Sequence, residues 1–134
     1  MKEIQIYDYL IVGAGAAGLM LANAMALDPF FFQKQILLLD PDTKELNDRT
    51  WCFWEKTQGP LEALTSQCWS SIGVSENGAV HAKSITPYSY KMLEGKPFYT
   101  AMKAQIAASQ QIHFKHEAVE DIQEISIQKE LLYK

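Results

Sequence analysis

The sequence predicts an α/β fold, and three stretches near its N-terminus predict it. Tyr7–Val12 reads Y-D-Y-L-I-V, an apolar run with the β-branched and aromatic side chains of a buried strand. It runs straight into Gly13-Ala14-Gly15-Ala16-Ala17-Gly18, a complete G-x-G-x-x-G. An Ala/Leu/Met stretch follows over Leu19–Leu27, then a second apolar run, Gln35–Leu39, which closes on Asp40. Strand, glycine turn, helix, strand and acid, in that order, make a Rossmann-like βαβ dinucleotide-binding unit.

The elements follow in order. The first strand is expected over Ile4–Val12 and the first helix from about Ala16 to Leu27. Only Asn23 and Asp28 interrupt the apolar character of that helix, so it is expected to be buried between the sheet and neighbouring elements. Asp28-Pro29 ends it, because a residue before proline is pushed out of the helical region. For Phe30–Phe32, packing is expected ahead of membrane contact. Pro41–Asn47 is polar and turn-rich, and the aromatic block Asn47–Trp54 comes next.

Pro60–Leu64 is expected to form a short helix. Ser66–Tyr90 reads as irregular or β, with the chemistry of a tight hairpin at Asn77-Gly78. Tyr99–Ser109 is a second helix, apolar at Tyr99, Met102 and Ile106. Ile112–Val119 and Ile122–Ile127 read as strands joined by Glu120-Asp121. A parallel sheet is buried on both faces and usually needs more strands than these. Leu131–Lys134 also ends without a turn or cap. The fold is therefore expected to be incomplete, the N-terminal part of a larger unit.

Composition narrows the function. The 134 residues amount to one domain's worth of chain, and 48% hydrophobic with 21% charged residues is ordinary for a soluble globular protein. A net charge of −4 and twelve scattered Lys and Arg argue against a nucleic-acid partner. Cys52 and Cys68 match neither a C-x-x-C redox pair nor a zinc box and read as reduced thiols of a cytosolic protein. No secretory signal is visible at the N-terminus. Leu19–Phe32 contains Asn23, Asp28 and Pro29 and falls well short of the ~20 apolar residues of a membrane span. His113 and His116, three apart on an expected strand, face opposite sides, and no metal is assigned.

The glycine motif has a chemical logic. Gly13 permits the tight strand-to-helix turn, Gly15 lets a pyrophosphate approach the backbone, and Gly18 lets helix and strand pack closely. The helix start at Ala16 and Ala17 then points free N–H groups and about half a positive charge at the phosphates. Asp40 stands 22 residues past Gly18, the distance at which an acid accepts hydrogen bonds from the adenosine ribose. A carboxylate there disfavours NADP, whose 2′-phosphate it would repel. From the residues alone, Arg49 is a surface arginine and Asp48 a turn or capping residue as readily as a participant. Trp51, Phe53 and Trp54 are expected in the core ahead of a cofactor wall, since each has a large apolar area to bury.

Two blocks carry a family resemblance. D-Y-L-I-V-G-A-G-A-A-G-L at Asp8–Leu19 and N-D-R-T-W-C-F-W at Asn47–Trp54 resemble the N-terminal region of lycopene cyclase flavoproteins. Tyr88-x-Tyr90 and the helix-plus-strand Phe98–Val119 fall in the family's order. The glycine motif is common to many flavoproteins, whereas N-D-R-T-W-C-F-W is close to diagnostic.

The resemblance implies an FAD-binding domain of the FAD-dependent oxidoreductase/monooxygenase type, with a β-rich substrate-domain insertion beginning at about residues 66–97. It implies FAD, reduced for activity, with NAD(P)H as a candidate electron source, and lycopene as substrate. The implied reaction is non-redox: protonation of a terminal double bond, carbocation cyclisation to a β-ring, then proton loss. Gly13, Gly15, Ala16, Ala17, Gly18 and Asp40 would hold the adenosine diphosphate half of FAD. Arg49 would reach a phosphate or the flavin-side edge, and Val119 would contact adenine through its backbone.

The family's second flavin-binding segment and its acidic carotenoid-acting segment are not found in this sequence. No catalytic acid is assigned, and the chain alone is expected to be inactive. The protein is expected to be cytoplasmic, and its hydrocarbon substrate implies peripheral membrane contact. Two other readings share the same opening: an FAD-dependent monooxygenase or reductase of another isoprenoid or aromatic substrate, and a non-catalytic truncated remnant.

Overall fold

The βαβ unit forms where the sequence places it, with a shorter first strand. In the computed structural model, which describes residues 5–124, β1 spans Tyr9–Val12, α1 Ala16–Leu27 and β2 Ile36–Leu39. β1 does not reach back to the expected Ile4, which lies outside the described residues. Ahead of Tyr9 the chain is held differently: the Asp8 carboxylate accepts from the Gln35 N–H at 2.8 Å, and the Asp8 N–H donates to the Gln35 carbonyl.

The remaining elements are β3 (Thr50–Glu55), β4 (Thr65–Trp69), β5 (Ser71–Glu76), β6 (Ala79–Ser84), β7 (Ser89–Glu94), α2 (Gly95–Ala107) and β8 (Ile112–Lys115). They make three sheets. β1, β2 and β8 pair in parallel in the order β1-β2-β8. β3, β7 and β4 form an antiparallel sheet with β7 in the middle, and β5 and β6 form a hairpin. Residues 66–90 are thus almost wholly β. The hairpin turns at Asn77 (φ 50°) and Gly78 (φ 82°), both in the left-handed region that a two-residue turn between strands requires.

One core joins these layers. Leu19, Ala22 and Met25 of α1 pack with Ile11, Ile36 and Leu38 of the parallel sheet and with Phe98, Tyr99, Met102 and Ile106 of α2. The expectation of a wholly buried α1 is corrected. Only the face toward the sheet and α2 is covered; Met20, Leu21 and Leu27 on the other face are 46%, 52% and 71% exposed. Packing of the three phenylalanines is likewise only partial. Phe31 stacks edge-on against Tyr9 at 5.4 Å, while Phe30 and Phe32 are exposed at the 3₁₀ turn Pro29–Phe31.

Other boundaries move for identifiable reasons. α2 starts at Gly95, four residues before the expected Tyr99, because Pro97 sits in the first turn, where its missing N–H is not needed. The expected helix at Pro60–Leu64 is a 3₁₀ turn over Glu62–Leu64. The strand expected over Ile112–Val119 stops at Lys115, because its partner β2 is only four residues long and Leu39 pairs with Lys115. Of the strand expected over Ile122–Ile127, residues 122–124 are not in a strand and the rest lies outside the described residues.

Candidate cofactor site

The glycine turn is built by close approach. Gly13 has φ +99°, a left-handed conformation, and a Cβ on residue 18 would stand 1.8 Å from the Gly13 carbonyl oxygen. Only glycine at position 18 lets α1 begin this near to β1. A Cβ on Gly15, in contrast, meets nothing within 4 Å, so the backbone there borders open space. Gly15 is the N-cap of α1, no side chain caps the helix, and no acid lies in its first turn. The first N–H groups of α1, Ala16 and Ala17 among them, are therefore available to an anion.

Asp40 lies directly behind this turn. It is 8% exposed; one carboxylate oxygen accepts from the Ala14 N–H at 2.7 Å and the other from the Asp42 N–H at 2.8 Å. The Lys44 ammonium is 3.3 Å away. Burial by itself raises the Asp40 pKa, but the two backbone donors and Lys44 outweigh it and hold the carboxyl below its ordinary value. The acid is thus a charged brace that ties the end of β2 to the glycine turn. A carboxylate has about four acceptor positions, so a ribose hydroxyl can share it. Lys44, with φ 54°, is a residue that sequence reasoning missed. Its partner Asp40 lies four positions back, and outside a helix that spacing signals nothing.

The block Asn47–Trp54 separates into two tasks. Asn47 accepts from the Lys96 N–H at 3.1 Å, capping α2 from a distance, and Asp48 accepts from the Tyr99 hydroxyl at 3.2 Å. The Arg49 carbonyl accepts from the Gly95 N–H at 2.7 Å, and a Cβ on Gly95 would lie 2.9 Å from that oxygen. These contacts fix the Arg49 backbone, while its side chain is 70% exposed. Its only ion-pair partner among the described residues is Asp48, at 3.7 Å.

Trp51 and Phe53 pack partly against the core, as expected. Trp54 points to the other side of the sheet and is 52% exposed, because successive strand residues alternate faces. An apolar cavity of about 420 Å³ brings Ala16 and Met20 of α1 together with Trp51, Phe53, Leu61 and Phe98. The glycine turn and the aromatic block, which sequence spacing cannot connect, therefore share a wall.

Across its length, from residue 8 to residue 133, the chain matches the family model described as lycopene cyclase protein. It belongs to the lycopene cyclase family.

Within this family member, Val119 lies beyond β8, on a loop that borders an open hollow with Leu10 and Leu39. Leu39 precedes Asp40, so Val119 sits at the Asp40 end of the site, on a loop and not on the expected strand. Two further likenesses are partial. An alcohol dehydrogenase [acceptor] of Pseudomonas putida is 45% identical over 42 residues, which are 31% of this chain and 7% of that protein. A crystal structure of a mutant of PqsL from P. aeruginosa superposes with a TM-score of 0.60 at 16% identity, over 81% of this chain and 33% of that one. The chain thus spans about a third of that structure's length, and the likeness is one of fold.

Proposed function

We propose that this lycopene cyclase family chain binds the adenosine diphosphate half of FAD at Gly13–Gly18 and Asp40. The observation that carries this is the open backbone at Gly15, set at an uncapped helix start and braced by a buried charged acid. The pyrophosphate lies against the Gly15 backbone and takes N–H groups from Ala16 and Ala17. Asp40 accepts from the adenosine ribose, and the Val119 backbone lines the adenine side. The exposed Arg49 guanidinium reaches a phosphate or the flavin-side edge of the cofactor. Trp51 and Phe53 shield the cavity next to Ala16 from water.

In the whole protein the bound cofactor supplies the reduced flavin that the family's cyclisation of lycopene requires, with NAD(P)H as electron source. The residues of this chain then act by binding and orientation, and the strands β4 to β7, at about residues 66–97, are the start of the substrate domain. Among the described residues no helix is long and apolar enough to cross a membrane. A cytoplasmic protein that meets its hydrocarbon substrate at a membrane surface fits this reading. The test is a titration of FAD into the chain, followed by quenching of flavin fluorescence. Saturable binding that weakens with Gly15→Ala supports the reading, and no binding by the chain or by any longer parent polypeptide defeats it.

A further inference from the structure

The residues just past β2 form a tight turn that folds back onto Asp40. Asp40 Oδ1 accepts from the Asp42 N–H at 2.8 Å, and Asp42 Oδ1 accepts from the Lys44 N–H at 2.6 Å. From the other side, the Lys103 ammonium of α2 donates to the Thr43 carbonyl at 2.8 Å. Lys44 has φ 54°, a left-handed conformation that is unfavourable for a residue with a Cβ. Such strain persists only where the surroundings hold it, and it gathers at functional sites. With the backbone so turned, the Lys44 side chain runs back to the carboxylate. Its ammonium stands 3.3 Å from Asp40 Oδ2 and 4.0 Å from Asp42 Oδ2, and the side chain is only 15% exposed.

We propose that Lys44 is a ribose-binding residue of the nucleotide site. Asp40 accepts from one hydroxyl of the adenosine ribose, and the Lys44 ammonium donates to the oxygen of the other. This rests on the reading of Gly13–Gly18 and Asp40 as the site for the adenosine diphosphate half of FAD.

Three observations carry it. First, Asp40 by itself is short of acceptor positions. A carboxylate offers about four, two on each oxygen. The Ala14 N–H and the Lys44 ammonium occupy Oδ2, and the Asp42 N–H takes one position on Oδ1. One position is left for a ribose that presents two adjacent hydroxyls, so the second hydroxyl needs another partner.

Second, the Lys44 ammonium has a donor to spare. It carries three N–H groups. Its ion-pair partners among the described residues are two carboxylates, and the farther one, at 4.0 Å, is beyond hydrogen-bond reach. Third, the lysine is already held in place. It has lost rotamer freedom on folding, so a contact with the ribose keeps more of its strength. The result is an acceptor beside a cationic donor, a pair that distinguishes an intact ribose from a deoxyribose.

The test is calorimetric titration of ADP, 2′-deoxy-ADP and 3′-deoxy-ADP into the wild-type chain and into Lys44→Met and Lys44→Arg. In wild type, loss of either hydroxyl is expected to weaken binding about tenfold. In Lys44→Met the penalty for one of the two should disappear while the other stays, and Lys44→Arg, which keeps a cationic donor, should retain both. An equal loss for all three nucleotides in Lys44→Met makes Lys44 a counter-ion of Asp40 only and overturns the inference. So do unchanged affinities in Lys44→Met, or a wild type indifferent to both hydroxyls, and in each case the cofactor reading stands. A wild type that binds none of the three defeats both readings. A second measurement needs no variant: acetylation of wild-type lysines by acetic anhydride, read by mass spectrometry. At saturating nucleotide, ADP should protect Lys44 and one deoxy analogue should not; equal protection by all three overturns the inference.

Discussion

The carboxylate of Asp40 accepts a hydrogen bond from the backbone N–H of Ala14 at 2.7 Å, across 26 positions of sequence. The acid at the end of β2 therefore has a structural partner before any ribose arrives. Its removal acts on the shape of the glycine turn as well as on a ligand contact. Asp40→Ala is expected to lose charge-assisted hydrogen bonds of about 1.5–3 kcal/mol, a roughly tenfold to hundredfold loss of FAD affinity. Asp40→Asn keeps an acceptor for Ala14 and should lose less. Equal FAD affinity in wild type and Asp40→Ala, by flavin fluorescence titration, would contradict this.

Asp40 also sets a pH dependence. Its folded-state pKa is lowered, so the ionised carboxylate stabilises the fold fully above its unfolded pKa of about 3.9, and that stabilisation is lost as pH falls through the lower folded value. Urea midpoints are expected to fall below about pH 4 in wild type, with a shallower fall in Asp40→Asn. Parallel profiles for the two proteins would remove Asp40 from the account.

Two glycines of one motif should behave in opposite ways. Gly18→Ala forces its Cβ against the Gly13 carbonyl, a backbone atom that cannot step aside, and overpacking of this kind costs about 1–3 kcal/mol or more. Gly15→Ala meets open space and should leave the unfolding midpoint within about 0.5 kcal/mol of wild type while weakening FAD. A midpoint lowered equally by both changes would show that the space at Gly15 is structural.

The block around Arg49 divides in the same manner. Asn47→Ala removes the cap on the Lys96 N–H and is expected to cost about 1 kcal/mol of stability. Arg49→Ala removes an exposed side chain and should change stability by less than about 0.5 kcal/mol, with its effect confined to FAD binding. Calorimetry and FAD titration on both variants separate the two tasks, and a large stability loss in Arg49→Ala would refute the division.

Lys91 holds Glu55 and Glu62 together on the core side of the sheet. Hydrogen bonds to Glu55 and Glu62 outweigh burial and raise the Lys91 pKa, so its stabilising charge persists at neutral pH and is lost only as pH rises through that raised value. Lys91→Met leaves two carboxylates facing each other without a cation. The variant is expected to unfold at lower urea than wild type at pH 7, and the gap should close as pH rises through the raised Lys91 value, where wild type loses the same charge. A gap that is constant with pH would point to lost packing instead.

Local chemistry made much of the fold legible. The βαβ order, the end of α1 at Asp28-Pro29 and the Asn77-Gly78 hairpin each follow from residues within a few positions of one another, where backbone preference decides. The limits of β8 and the start of α2 did not, because a strand extends only as far as its partner and Pro97 reads as a breaker until it is placed in a first turn. α1 shows the same limit. Its all-round apolar sequence says that it can be buried, whereas its depth depends on which neighbours stand beside it.

The site divides along that line as well. By itself the sequence determined the glycine turn, the acid at the end of β2 and the family-specific block Asn47–Trp54, since each is a contiguous pattern with its own stereochemistry. The tertiary structure alone decided that Asp40 braces Ala14 and pairs with Lys44, that Asn47 and Asp48 serve α2, and that Arg49 keeps an exposed side chain. It also decided which aromatic residues are core and which are open. Trp51 and Trp54 are three positions apart in the same strand, and only strand register and the direction of packing send one to the core and the other to the open face.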